Sequence, residues 1–500
     1  RFGRLCLPGV CAASLAAAEP AWILLAAPDL KPSLDELAAR RRAEHYRVVV
    51  LDSALAADPE KSVAAIKEAA GSGTEPVMVV LAGTADPSAA PGVRLPALHG
   101  TQRRMKALFS DHGYGLGSSG GMPRAAVGRL PARSAEEAGR MAAKILAFEK
   151  PGAAGPWQHR IAALIGHPGG ATPLERTMAA GYINTAVGTR IHSLSPRWTV
   201  QVTTDVPGSP WFLEKPKIET EFVRELNEGT LFSLYMGHSG PTGLSTDGLS
   251  LMETPAWAKV DSPHGGVFFS CGCYGLWPQS PKIEGYGYTA MRNPRGPVAV
   301  IGAVGESYSA AGQLAFDGLL TLLQKDDSPP LLADYWMAAM QGITSGKIDP
   351  FSFKMLDMAD GTGGRVPLED QRKEHVEMWQ LLGDPAMRLP LLPATVKLTG
   401  PAQAAPGGTL LIGGEVPAGL SGSGLQITLE RPPGETAPGA SHTAANDPVI
   451  QRQSLSLQGT TFTGVPLSVP PGFSGEILVV RAVAGDSAAG GLLQVKVQRP

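Results

Sequence analysis

From residue 21 to about residue 150, short apolar runs alternate with helical patterns, and this alternation restricts the possible folds more than any other feature of the chain. AWILLAA (21–27) reads as a buried strand and SLDELAARRRAEH as a polar-faced helix. YRVVVLD (46–52) is a second strand, PEKSVAAIKEAAG a helix and PVMVVLA (76–82) a third strand. Strands separated by helices imply βαβ crossovers and a parallel sheet. A loop rich in Gly and Ser follows (113–121), then AAVGRLPA (125–132) and a helix with Ser134 as N-cap and Glu137 at the capping-box position.

PGAAGP (151–156) has the composition of a linker, and a second α/β series starts at RIAALIG (160–166). Its later strands are TVQVTTD (199–205), TLFSLYMG (230–237), VFFSCG (267–272) and PVAVIGA (297–303). Helices are expected at 218–228, at 307–324 and around 331–345, and WQLLGDPAMRLPL (379–391) closes the unit. After Pro393 the pattern changes to short alternating strands with Gly and Pro turns, the signature of a β-sandwich of immunoglobulin type.

Across its 500 residues the chain carries 43 Lys and Arg against 45 Asp and Glu, a formal charge of −2. A nucleic-acid binder held by a basic face needs clustered excess cations, so that class is excluded. No repeat of solenoid length is visible. The four cysteines (Cys6, Cys11, Cys271 and Cys273) are too few for a disulfide scaffold. Residues 1–19 begin with Arg1 and Arg4, continue apolar and end in Ala16-Ala17-Ala18, which reads as a signal peptide and places the protein outside the cytoplasm. That run is too short to span a bilayer, and nothing later does better, so no membrane span is expected.

Two strand ends carry the chemistry. TLFSLYMG runs into His238, and VFFSCG runs into Cys273, followed by Tyr274 and Gly275. In an open parallel sheet the functional crevice lies beyond the carboxyl ends of the strands. A Cys and a His at two such ends suit acyl transfer: a thiolate attacks a carbonyl carbon while an imidazole manages the proton. Each residue alone has a plainer reading, the Cys as a small core side chain and the His as a satisfied loop residue. His264 lies nine residues before Cys273, across a strand that spans about 3.3 Å per residue, and so belongs at the far end of the sheet. His167, in IGHPGG, follows another strand and can line the same crevice. Cys271 shares a strand face with Cys273 and remains the alternative nucleophile.

Metal or redox work by the Cys-x-Cys pair lacks further soft ligands, and a bridge across one residue is strained. The Gly-rich loop at 113–121 does not open a helix directly after a strand, and SGK (345–347) lacks the rest of a P-loop, so no nucleotide cofactor is expected. Asp205, Asp247 and Glu253 are candidate orienting carboxylates, each with a solvated-loop alternative.

Four stretches resemble the gingipain-type cysteine peptidases, family C25 of the caspase-like clan. They are AAVGRLPARSAEEA (125–138), LYMGHSG (234–240), VFFSCGCYG (267–275) and LLGDPAMRL (381–389). The resemblance covers roughly residues 21–393, and the tail also fits. It implies Cys273 as nucleophile and His238 as general acid/base. It also implies an oxyanion hole from the backbone N–H of Cys273 and of the residue after His238, here Ser239. GPVAVIGAVGESYSAAG (296–312) matches the strand and loop beside the S1 pocket, making Glu306 and Tyr308 candidates for substrate contact. A Glu there favours Lys or Arg at P1. Many relatives carry an acidic, Ca²⁺-suited loop where this chain has GLGSSGGMPR (115–124), so no metal is expected.

The expected fold is therefore α/β, in four parts: a signal peptide (1–19), an N-terminal α/β subdomain (20–155), a caspase-like parallel-sheet catalytic subdomain (156–393) and an Ig-like sandwich (394–500). The expected function is an exported cysteine endopeptidase acting on polypeptides without a cofactor. The alternatives are a transpeptidase of the same family, in which an amine replaces water, and a non-catalytic binding protein on a peptidase fold.

Overall fold

The computed structural model describes residues 19–498 apart from 106–107, 151–154, 170–171, 247–248, 279–282, 361, 394, 438 and 486–488. The expected signal peptide with Cys6 and Cys11, most of the 151–156 linker, and Asp247 lie outside the described residues.

Ten strands form one sheet. In chain order they are β1 (Ala21–Ala26), β2 (Arg47–Val50), β3 (Val77–Ala82), β4 (Ala126–Leu130), β5 (Arg160–Ile165), β6 (Thr199–Thr204), β7 (Phe232–Met236), β8 (Val267–Ser270), β9 (Ala299–Ala303) and β10 (Trp379–Leu382). Their spatial order is β2-β1-β3-β4-β10-β9-β8-β7-β5-β6. The inner strands are apolar on both faces because helices cover both. Trp22, Leu24, Met78 and Val80 pack against Leu37, Met141 and Ile145. The alternating Ile23, Leu25, Val79 and Leu81 pack against Ile66. Period-2 alternation thus sends one strand into two cores.

The two α/β series meet inside this sheet. β1 to β4 run parallel to one another and to β10, and β5 to β9 run parallel to one another. β10 pairs antiparallel with β9, from Val300↔Leu382 to Ala303↔Trp379. The sheet is therefore two parallel halves of opposite direction, and the last strand of the α/β chain is the join. Two small residues allow it. A Cβ on Gly128 would meet the Gly383 carbonyl oxygen at 2.2 Å, and one on Gly383 would meet the Ala299 Cβ at 2.9 Å.

Buried charge fixes the join. Asp384 accepts from Trp22 Nε1 at 3.1 Å and from Arg41 Nε at 2.9 Å, and all three side chains are out of solvent. Arg41 also reaches Glu149 at 2.9 Å. One strand away, Arg129 holds Asp111 with both nitrogens of its fork (2.8 and 2.6 Å) and donates to the Gly83 and Leu95 carbonyls. These two networks account for the GRLP and LGDP segments.

Among the described helices of seven residues or more, four are absent from the sequence reading: Pro173–His192, Tyr286–Arg292, Pro350–Ala359 and Leu368–Met378. The last buries Gln371, Glu374, His375 and Glu377 beside Val376 and Met378, so polar residues interrupt its apolar period.

Residues from Lys397 onward form two further sheets. One joins Lys397–Thr399, Thr409–Glu415 and Thr461–Ser468; the other joins Gln403–Ala404, Ala489–Val497, Ile477–Ala484, Gly424–Glu430 and Val449–Ser456. Leu410, Ile412, Leu425, Ile427, Leu467, Val480 and Val495 fill one core between them, a β-sandwich.

Asp384→Ala is expected to destabilise the protein by about 3–5 kcal/mol, because it leaves Arg41 buried with an incomplete set of partners. A denaturant titration of variant against wild type checks this.

Candidate active site

β8 lies parallel beside β7 with Ser270 opposite Tyr235, and the Cys271 N–H still donates to the Tyr235 carbonyl at 2.9 Å. The ladder ends there: His238 opens a separate small sheet (His238–Gly240), and Cys273 lies past the last paired residue of β8. A hydrogen bond from Ser239 Oγ to the Cys273 carbonyl, 2.7 Å, ties the two exits together.

The local sequence explains this closeness. A Cβ on Gly272 would meet Ser239 Oγ at 2.0 Å and Tyr235 Cε1 at 3.1 Å, and one on Gly237 would meet the Tyr235 hydroxyl at 2.6 Å. Only glycine fits between these groups. The buried Tyr235 hydroxyl donates to the carbonyls of His238 and Ser245. It thereby anchors a small three-stranded sheet (His238–Gly240, Gly243–Thr246, Leu249–Glu253) over the strand ends. Tyr286 adds a second brace, with its hydroxyl 2.7 Å from Ser270 Oγ and 3.4 Å from Ser239 Oγ.

Behind the thiol the chain turns sharply. Tyr274 has φ of 58°, a conformation that costs an L-residue roughly 1–2 kcal/mol. Three main-chain bonds hold it: Tyr274 N–H to Gly305 O, Leu276 N–H to Ala303 O and Trp277 N–H to Tyr274 O. Among the described residues none accepts the Cys273 N–H.

The two cysteines differ in surroundings. Cys271 packs against the main apolar core with its Sγ 3.6 Å from the Gly312 carbonyl, and burial pushes its thiol far above the ordinary range. Cys273 lies beyond the strand, with its Sγ 4.0 Å from the Ser307 carbonyl. Burial pushes its thiol up to about 12, and the carboxylates of Asp360 and Glu306 add to this while Arg104 opposes it.

His238 is solvent-exposed, and its Nε2 lies 2.9 Å from the Pro168 carbonyl. With a proton on Nε2 donated to that oxygen, Nδ1 keeps its lone pair. Pro168 is itself held in place: Asp205 accepts from the His167 N–H at 2.7 Å, and His167 Nδ1 accepts from the Gly169 N–H at 2.9 Å. Asp205 and His167 thus shape the loop under His238 rather than meeting the imidazole in these bonds. Glu253 is exposed at the end of the small sheet, and His264 stacks on Trp157 at 4.5 Å, at the opposite end of β8.

Glu306 and Tyr308 stand beside the thiol in a charged wall that sequence reading did not assemble. Arg104 pairs with Glu306 at 2.6 Å, and its guanidinium lies 4.6 Å over the Tyr308 ring. Tyr274 hydroxyl is 3.5 Å from the other Glu306 oxygen. Tyr308 is fully buried and donates to Glu374 at 3.0 Å. Asp360 accepts from Ser309 N–H at 2.7 Å and is pushed up to about 6 by burial. Nothing in the local sequence marks Arg104 or Asp360, because each comes from a different loop.

The sequence profile of peptidase family C25 matches residues 16–390, three-quarters of the chain. The chain belongs to peptidase family C25. Members of this family are cysteine peptidases, so this chain is one, and its substrates are polypeptides. Two solved structures share the fold. The first is described as the Arg-specific cysteine proteinase gingipain R, with a TM-score of 0.54 at 15% identity, covering 96% of this chain and 98% of that one. The second is described only as a protease, with a TM-score of 0.50 at 15% identity, covering 97% and 98%. No curated protein matches the sequence. The family match places both strand exits and the LGDP join inside the C25 region. No described helix is long and apolar enough to cross a membrane.

The folded thiols hold their protons in a range where unfolded ones, titrating near 9, release them. Alkylation of Cys271 and Cys273 by iodoacetamide at pH 8 is therefore expected to be at least about tenfold slower in the native chain than in urea, read by peptide mass mapping. The sign for stability follows from the same raised values. Between about pH 9 and 12 the native state binds more protons than the unfolded state, so stability is lost as pH rises through that window.

Proposed function

We propose that the protein is an exported cysteine endopeptidase that cleaves through an acyl-enzyme, with Cys273 as nucleophile and His238 as general acid/base. The observation that supports this reading is the bond from Ser239 Oγ to the Cys273 carbonyl, which ties the chain just after His238 to the chain at the thiol. Export rests on the leader-like pattern of residues 1–19.

The chemistry runs as follows. As the peptide carbonyl approaches, His238 Nδ1 takes the Cys273 proton and sulfur bonds to the carbonyl carbon. The C=O electron pair moves to oxygen, which the Cys273 N–H and the Ser239 N–H receive. Collapse breaks the C–N bond, and the imidazolium gives its proton to the leaving amine. Water then attacks the thioester with the imidazole as base, releasing the acid and restoring the thiol. A thiol held protonated in the free enzyme fits this order, because removing its proton is coupled to substrate arrival.

Glu306 is already neutralised by Arg104, so it does not present a free carboxylate for a basic P1 residue. Arg104→Ala is expected to release it and to raise cleavage after Lys and Arg relative to other residues by about tenfold. A mixed peptide library read by mass spectrometry measures this ratio. With the same library, Cys273→Ala is expected to abolish cleavage and His238→Ala to lower it by 10²-fold or more, roughly the contribution of a positioned acid/base. Cys271→Ala is expected to keep most activity. Loss confined to Cys271→Ala would move the nucleophile by two residues, and inert wild type would favour the binding-protein reading. Ligated products on adding an amine would show transpeptidation.

A further inference from the structure

The sandwich does not merely follow the α/β unit; one of its loops covers the exposed edge of the large sheet. β6 is the edge strand, with one free row of main-chain groups. Asn446, between two sandwich strands, satisfies part of that row: its Oδ1 accepts from the Val202 N–H at 2.7 Å and its Nδ2 donates to the Val202 carbonyl at 2.9 Å. The adjoining short helix, His442–Ala445, brings His442 against Thr203 of β6.

Beneath that contact lies an incomplete polar cluster. Glu221 and Glu225 stand one turn apart on the helix Lys215–Asn227, and His442 meets them from the sandwich. One ligand atom from each lies within 4.8 Å of the others. Glu225 has no solvent exposure. Its Oε1 accepts from Thr203 Oγ1 at 3.2 Å, and among the described residues its Oε2 has no hydrogen-bond partner. A buried carboxylate oxygen left this way calls for a cation or a donor to complete it. Arg224 does not complete it, since its guanidinium bonds Glu221 and Glu228.

We propose that Glu221, Glu225 and His442 hold a divalent transition-metal ion of the Zn²⁺ type, which clamps the sandwich onto the edge of the peptidase sheet. One imidazole and two carboxylates suit Zn²⁺, whereas Ca²⁺ and Mg²⁺ select all-oxygen sets. Zn–N and Zn–O bonds are about 2.0–2.2 Å, so ligand atoms within a 4.8 Å group close on the ion by small rotamer changes. Each Glu221 oxygen accepts one Arg224 N–H, at 3.1 and 2.6 Å, and keeps a further lone pair for the metal. Glu221 also lines a cavity of about 500 Å³ between the two units. Thr203 and Asn446 lie 3.1 and 3.2 Å from His442 Nε2, so with Nδ1 as the metal ligand they orient the ring. β5 lies between β6 and the His238 strand, so the ion has a holding role apart from the proposed acyl-transfer chemistry.

The test is calorimetric titration of the EDTA-treated, dialysed full-length protein with ZnCl₂, repeated on Glu225→Gln and His442→Ala. One equivalent of Zn²⁺ is expected to bind the wild type, to raise its unfolding temperature, and to bind each variant at least about tenfold more weakly. Glu225→Gln keeps the shape of the side chain, so without metal it is expected to unfold close to the wild-type temperature. That guards against a variant that fails only because it does not fold. No bound equivalent in the wild type, or Zn²⁺ uptake by Glu225→Gln and His442→Ala as tight as the wild type's, would overturn the site.

Discussion

The buried carboxylate of Asp384 joins two half-sheets that run in opposite directions. Antiparallel pairing of β10 with β9 is the only link of that kind in the ten-stranded sheet, among the described residues. The last α/β strand lies beside β9, the strand before it, and its other edge meets β4, so it closes the two halves into one sheet. There Asp384 accepts from Trp22 on β1 and Arg41 on the following helix, so residues far apart in sequence are drawn to one point. An ion group this deep adds little net free energy, because desolvation offsets the attraction. What it adds is specificity: only one register of β10 meets Arg41 with the carboxylate and sets Gly383 against Ala299.

The proposed catalytic pair depends on the same arrangement at one remove. β9, aligned by β10, aligns β8, and β8 aligns β7. The loop after β9 supplies the Ser307 carbonyl near the Cys273 sulfur, and the Glu306 carboxylate in the wall beside it. Tyr235, Tyr286, Gly237 and Gly272 then bring the strand exits close enough for Ser239 to bond the Cys273 carbonyl. Rigidity here is main-chain rigidity, whereas His238 remains exposed with a carbonyl for a partner.

Much of this was legible because parallel strands announce themselves. Runs such as VMVVLA and FSLYM are short, apolar and bounded by turn residues, and each proved to be a strand of the large sheet. The LGDP and GRLP segments were recognisable by resemblance, although their physical role, a buried join with Trp22 and Arg41 and a second ion pair at Asp111, was not readable. The opposed direction of the two halves was also hidden, since it is decided by where β10 inserts. Arg104 stayed unseen for a similar reason: its partner Glu306 is 202 positions away. The helix Leu368–Met378 buries polar side chains, which interrupt the periodicity by which helices are found.

The central claim is that the thiol of Cys273, and not that of Cys271, meets the carbonyl carbon with His238 at its side. A peptidyl acyloxymethyl ketone traps such a thiol covalently, and digestion followed by mass mapping locates the adduct. The account expects one adduct per chain, on Cys273, with its formation slowed strongly in His238→Ala. An adduct on Cys271, or labelling of Cys273 at the same rate without the imidazole, would contradict it.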